Sequence, residues 1–155
     1  MISKKKDVTT PTTIITTTAT KQKKEKNELK GTPVSTIKSF EELTIWQESR
    51  KFTNKIYTLT NKFPKEELYG LTSQIRRAAV SIMSNIAEGF DRRSDKEFSN
   101  FLFIARGSTA EVQNNLYIAL DLKYIPEEEF IKTYEEAKNV AKQINGLMNY
   151  LKSKK

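Results

Sequence analysis

From Ser39 onward the apolar side chains return every three or four positions and never alternate, a period that suits helices and excludes strands. Ser39-Phe40-Glu41-Glu42 reads as a capping box, with Ser39 accepting from a first-turn amide and Glu42 reaching back, and the first helix is expected to run to about Lys62. Phe63-Pro64-Lys65-Glu66-Glu67 then closes one helix and opens another. Proline fits a first helical position, where no amide donor is needed, and acids fit the positive end of the helix dipole. The second helix carries Leu68, Leu71, Ile75, Ala79, Ile82 and Ile86 on one stripe and is expected to end at Gly89. Ser94-Asp95-Lys96-Glu97 is a second capping box, opening a helix with Phe98, Phe101, Leu102, Ala105, Val112, Leu116 and Ala119 on its core side. Ile125-Pro126-Glu127-Glu128-Glu129 repeats the proline-plus-acid start for a fourth helix, striped by Phe130, Tyr134, Ala137, Ala141, Ile144, Met148 and Leu151. Short connections between long helices make chain neighbours antiparallel. The fold class is therefore all-α, an up-down antiparallel four-helix bundle.

Ahead of the bundle the composition changes. Eight of the twelve residues from Thr9 to Thr20 are Thr, and Lys-rich sequence follows as far as Gly31-Thr32-Pro33. So little apolar area cannot offset a backbone entropy of about 1–2 kcal/mol per residue. Residues 1–37 are expected to be a disordered tail and residues 38–155 the bundle domain. A Thr-rich stretch is no apolar signal core, and the absence of Arg argues against an organelle transit peptide, so the expected location is cytoplasmic. No apolar run approaches a membrane span, and no membrane partner is expected.

The chain has neither Cys nor His. That removes disulfides, thiolate nucleophiles, Ser-His-Asp triads, His-zinc sites and Glu-x-x-His di-iron sites together. No P-loop or Gly-rich nucleotide fingerprint is present. What remains for catalysis is a Mg²⁺ held by carboxylates such as Glu88 and Glu111, which lack a defined ligand set. The expectation is no enzyme, no catalytic or metal residues, and no cofactor.

The formal net charge is +8, but residues 1–38 hold nine Lys and three acids, so the remaining 117 residues carry only +2. Within the body the cations cluster as Arg76-Arg77, Arg92-Arg93 with Lys96, and Arg106. Arg92 and Arg93 precede a helix whose free amides add positive potential, so these six residues are candidates for gripping nucleic-acid phosphates. The competing reading pairs Arg92 and Arg93 with Glu88, Asp91, Asp95 or Glu97. For the basic tail, weak attachment to RNA or DNA competes with a plain solvated extension.

More apolar residues are present than one core stripe needs. Phe103, Ala110 and Tyr117 recur every seven residues on the third helix, Val80, Met83 and Ala87 do something similar on the second, and the first carries a wide band that includes Phe52. Single apolar residues are ordinary on surfaces. Heptad repetition instead favours an oligomer interface, with Phe52, Val80, Met83, Phe103, Ala110 and Tyr117 as candidates. Beside the core stripe Arg77, Ser81, Asn85 and Glu88 face Ser108, Glu111 and Asn115. Ser81, Asn85, Glu88, Ser108 and Glu111 are read as a structural polar network across a helix pair in preference to an active site.

The run Leu68-Tyr69-Gly70-Leu71-Thr72-Ser73-Gln74-Ile75-Arg76-Arg77-Ala78-Ala79-Val80-Ser81-Ile82, followed by Asn85-Ile86-Ala87-Glu88-Gly89-Phe90, closely resembles the 23S rRNA-intervening-sequence protein family, the bacterial S23-type "four helix bundle proteins". Phe40-Glu41-Glu42-Leu43 with Trp46-Gln47, the Arg92-Arg93-Ser94 loop, and Ile104-Ala105-Arg106-Gly107-Ser108 with Glu111 are similar to it as well. The resemblance covers about residues 39–152. Met83 stands where many relatives have proline, and Asp91 stands where a glycine is usual, next to Arg92 and Arg93. The resemblance implies a ring-like homopentamer without catalytic activity. It also implies a distant relationship to retroelement accessory proteins that bind nucleic acid and a reverse transcriptase. The function expected from all this is a non-enzymatic, oligomeric, RNA-associated bundle acting through Arg and Lys contacts to phosphate. The alternative is an interaction scaffold or accessory factor of a reverse transcriptase or selfish element, without nucleic-acid affinity of its own.

Overall fold

The computed structural model describes residues 36–153, and its compact unit starts at Ile37. The expected disordered tail therefore lies, but for its last two residues, outside the described residues. Four helices follow: α1 Thr44–Thr60, α2 Leu71–Asp91, α3 Asp95–Asp121 and α4 Glu127–Ser153. Short 3-10 turns at Phe40–Glu42 and Lys65–Tyr69 precede α1 and α2. No strand occurs among the described residues, and no helix there is long and apolar enough to cross a membrane.

The cross-helix pairs establish the up-down order. Thr53 on α1 donates to the Ala79 carbonyl of α2 at 3.1 Å, while Arg76, earlier in α2, reaches Thr60, later in α1. Ser81 meets Ser108 between α2 and α3, and Phe90 meets Phe98 nearer their connection. Lys55 on α1 and Lys62 just past its end pair with Glu136 and Glu129 on α4, steps of seven residues in opposite directions, which closes the bundle antiparallel. Ile56, Ile75, Ile82, Ile86, Leu102, Leu116 and Ile144 fill the centre, with Ala79, Ala105, Ala119 and Ala137 where the helices approach closely.

Four boundaries differ from expectation, at both ends of α1 and both ends of α2. Ser39 makes no cap bond to a first-turn amide. Its hydroxyl instead holds the Glu41 carboxyl below the usual carboxylate range, and Glu42 accepts from the Lys38 amide at 3.3 Å. The chain makes a 3-10 turn there, and α1 begins only at Thr44, ending at Thr60 rather than Lys62. After Pro64 a 3-10 turn forms instead of a helix, because the Glu67 carboxylate folds over to accept from the Leu71 amide at 2.8 Å and caps α2 there. A Cβ on Gly70 would lie 2.5 Å from that carboxylate oxygen, so a larger residue there would push the Glu67 cap aside. Leu68, expected in the core, is consequently half exposed. Gly89 does not end α2: it is buried inside the helix, where a Cβ would come within 2.6 Å of Phe101 Cβ. The reversal falls at Arg93, in the left-handed region at φ 56°. The Ser94 cap forms as expected, accepting from the Glu97 amide at 3.4 Å. α2 passes through Met83 as regular helix.

Candidate functional site

The six candidate cations fall into separate places. Arg76 is tied to the end of α1: Nε donates to Thr60 Oγ1 at 2.7 Å, Nη2 to Asn61 Oδ1 at 2.9 Å, and its guanidinium lies 4.8 Å from the centre of the Tyr57 ring. Its charge meets neutral acceptors and a helix C-terminus, both of which favour a cation. Arg77, one residue on, is exposed and has no acidic partner among the described residues. Arg92 sits fifteen residues further, about 22 Å along α2 at about 1.5 Å per residue. There it pairs with Glu88 and lies over the Phe101 ring at 5.2 Å. Arg93 and Lys96 beside it are exposed, and Asp91, Asp95 and Glu97 pair with neither. Arg106 on α3 donates to Asn145 Oδ1 at 3.4 Å and covers the Phe103 ring. The structure thus gathers Arg76 with Arg77, and Arg92, Arg93 and Lys96 at the far end of α2, with Arg106 apart.

The polar network is smaller than expected. Ser81 and Ser108 share a hydrogen bond of 2.8 Å across α2 and α3, and Asn85 Nδ2 donates to both the Ser81 carbonyl and hydroxyl oxygens. Glu88 turns outward to Arg92, and Glu111 is exposed with no hydrogen bond or ion pair among the described residues. A buried carboxylate needs a partner, and neither Glu has a buried place to fill. Asn115 is the group left inside, with its Nδ2 buried and unpartnered.

Among the interface candidates, Phe52 is only 3% exposed and belongs to the protomer's own core, because α4 closes over that side of α1. Val80, Phe103, Ala110 and Tyr117 face outward, with Met83 half buried. Tyr117 leans on Phe130 and Tyr134 at 4.9 and 5.4 Å, and its bond with Tyr134 raises its hydroxyl above the ordinary tyrosine range. The structure adds Ile104 and Ile118 to the same outer side of α3. The heptad count passed them over because Glu111 interrupts the Ile104–Ile118 register.

An open groove of about 740 Å³ runs between the end of α1 and the start of α2. Tyr57, Leu68, Tyr69, Arg76, Arg77 and Val80 are among its walls. Tyr69 was not among the candidates, since a helix running on from Pro64 hides how the 3-10 turn projects it. No cluster of three or more acids that could hold a metal occurs among the described residues.

The model of the 23S rRNA-intervening sequence protein family matches residues 41–146, which takes in all of α1 to α3 and most of α4. The chain belongs to this family. A crystal structure of a protein of unknown function from the S23 ribosomal protein family, from Bacteroides thetaiotaomicron VPI-5482, is similar at 22% identity with a TM-score of 0.61, over 68% of this chain and 98% of that one. At that identity the likeness establishes the fold. No curated protein matches the chain. Every candidate residue, including the two arginine clusters and the α1–α2 groove, lies inside the span that the family model matches.

Proposed function

We propose that the protein is a non-enzymatic, self-assembling helical bundle of the cytoplasm that associates with RNA through Arg and Lys contacts to phosphate, most simply as a homopentamer. The observation that carries this reading is the run Leu68–Ala87, twenty residues without an acid, in which Arg76 and Arg77 are the charged members. No carboxylate within that run repels an approaching phosphate. Arg93 and Lys96 add two unpaired cations at the other end of α2. A body charge of +2 is small, yet symmetric assembly presents several copies at once and multiplies a weak contact. The outer side of α3 supports assembly, since only Arg106 and Glu111 are charged between Phe98 and Leu120.

Light scattering gives the assembly state, and fluorescence anisotropy with labelled RNA over a salt series gives the affinity. Log affinity is expected to fall linearly with log salt, and Arg93→Ala with Lys96→Ala to flatten the slope by roughly one unit per lost contact. A second reading, an accessory scaffold of a reverse transcriptase or selfish element without nucleic-acid affinity, is favoured by Arg76 and Arg92 being engaged within the chain. Normal assembly with no RNA or DNA binding at low salt decides for it.

A further inference from the structure

We propose that the groove between the end of α1 and the start of α2 is a stacking site for unpaired bases of single-stranded RNA. This rests on the RNA reading above and names the part of the molecule, and the form of RNA, that it involves.

The groove offers an uncommon combination. Tyr69 stands at the end of the 3-10 turn with 93% of its surface in water. Tyr57 presents the other exposed ring, and the Arg76 guanidinium that lies over it is held in place by two hydrogen bonds to neutral oxygens. Arg77 adds a second, unpaired cation. No acid lines the groove, and the carboxylate next in sequence to its wall, Glu67, is engaged by the Leu71 amide and the Tyr124 hydroxyl. An occupant that matches these walls carries negative charge and flat apolar faces side by side. Unpaired nucleotides have both, since phosphates meet the guanidiniums while bases stack on the rings. A duplex keeps its bases stacked on one another and offers no free face, so it meets only the charge. The volume falls within the range of about 300–1,000 Å³ typical of small-ligand sites, enough for more than a single ring. Ser73, also on the wall and without a hydrogen bond among the described residues, places a hydroxyl where a ribose 2′-hydroxyl can meet it. That group distinguishes RNA from DNA.

The test uses the full chain with an unstructured RNA oligonucleotide of about 15 nucleotides, near the upper site size of single-strand binders. The duplex and the DNA strand of the same sequence serve as second and third probes. The RNA strand is expected to bind more tightly than either. Tyr69→Ala is expected to weaken strand binding by about 5- to 150-fold, the range of one lost base stack, without changing the salt slope, while Tyr69→Phe retains affinity. Arg77→Ala does the reverse and flattens the slope by about 0.7. Equal binding of strand and duplex, or an unaffected Tyr69→Ala, overturns the groove but leaves RNA association through the other cations standing. DNA bound as tightly as RNA overturns the assignment to RNA. A change in assembly mass for Tyr69→Ala shows that a second copy fills the groove, and the proposal falls. Loss of all RNA binding in the unsubstituted protein defeats the functional reading and this inference together.

Discussion

α3 and α4 are the same length, 27 residues each, and pack against one another, yet they meet water in different ways. α4 spreads nine charged residues along its length, so its outer side is solvated and needs no partner. α3 holds six, four of them in its end turns, and between those turns its outer side shows Phe103, Ile104, Ala110, Tyr117 and Ile118. Burial within the protomer cannot explain that choice, since those residues lie outside it. The difference is that α3 carries apolar side chains both in the bundle core and on its outer side, the feature on which the proposed self-assembly rests, while the outer side of α4 is mostly charged.

A matched pair of substitutions puts this to the hardest test. Phe103 on α3 is 60% exposed and Ile131 on α4 is 53% exposed, so neither contributes much to the protomer's own core. Phe103→Glu is expected to weaken self-association by about 30-fold, the effect of losing an interface anchor of roughly 2 kcal/mol, with helicity intact. Ile131→Glu is expected to leave assembly unchanged. Light scattering across a dilution series reads both, and equal behaviour of the two would dissolve the distinction between the helices.

Glycines sharpen it further. Gly89→Ala forces a methyl group against Phe101 and Phe98 where α2 meets α3, and is expected to cost about 1–3 kcal/mol in urea unfolding. Gly146→Ala on α4 meets nothing within 4 Å and is expected to stabilise by about 0.5–1 kcal/mol through helix propensity. The α1–α4 seam is closed by ion pairs at partly exposed positions, so Lys55→Ala is expected to cost at most about 1 kcal/mol and less in high salt. The smallest effect belongs to Tyr124, in the connection between α3 and α4. Its hydroxyl donates to Glu67 Oε1 at 3.0 Å, and that bond raises its pKa above the ordinary tyrosine value. The stabilisation is complete below the unfolded pKa and is lost as pH rises through the higher folded one. Tyr124→Phe is expected to remove that part of the alkaline loss, seen as a shallower fall in melting temperature above about pH 10.

The helices were legible wherever local rules act alone. Ser94 caps α3, α4 starts directly after Pro126, and the stripes of α2 and α3 from Leu71 onward lie in the core except for the half-buried Phe101, because helix periodicity and cap chemistry depend on residues a few positions apart. The candidate site was legible only in part. Arg77, Arg93 and Lys96 are exposed cations, but neither the freedom of Arg93 and Lys96 from the flanking Asp91, Asp95 and Glu97 nor the pairing of Arg92 with Glu88 follows from residue order, because several local partners compete. Leu68 leaves the expected core stripe, and Tyr69 goes unnoticed, because a 3-10 turn with Glu67 bonded to the Leu71 amide stands where a regular helix is expected.

Residue order alone settles which side chains share a helix face, where caps can form, and how the charge divides between the first 38 residues and the rest. It cannot say which neighbour covers a face. Phe52 and Phe103 both belong to surplus apolar stripes, and only the packing of α4 over α1 puts the first inside and leaves the second in water. Gly89 reads as a helix end until Phe101 is brought within a methyl group's reach of it. The physical reason is common to both cases. Periodicity is a property of one helix, whereas burial and close approach depend on a second helix distant in sequence.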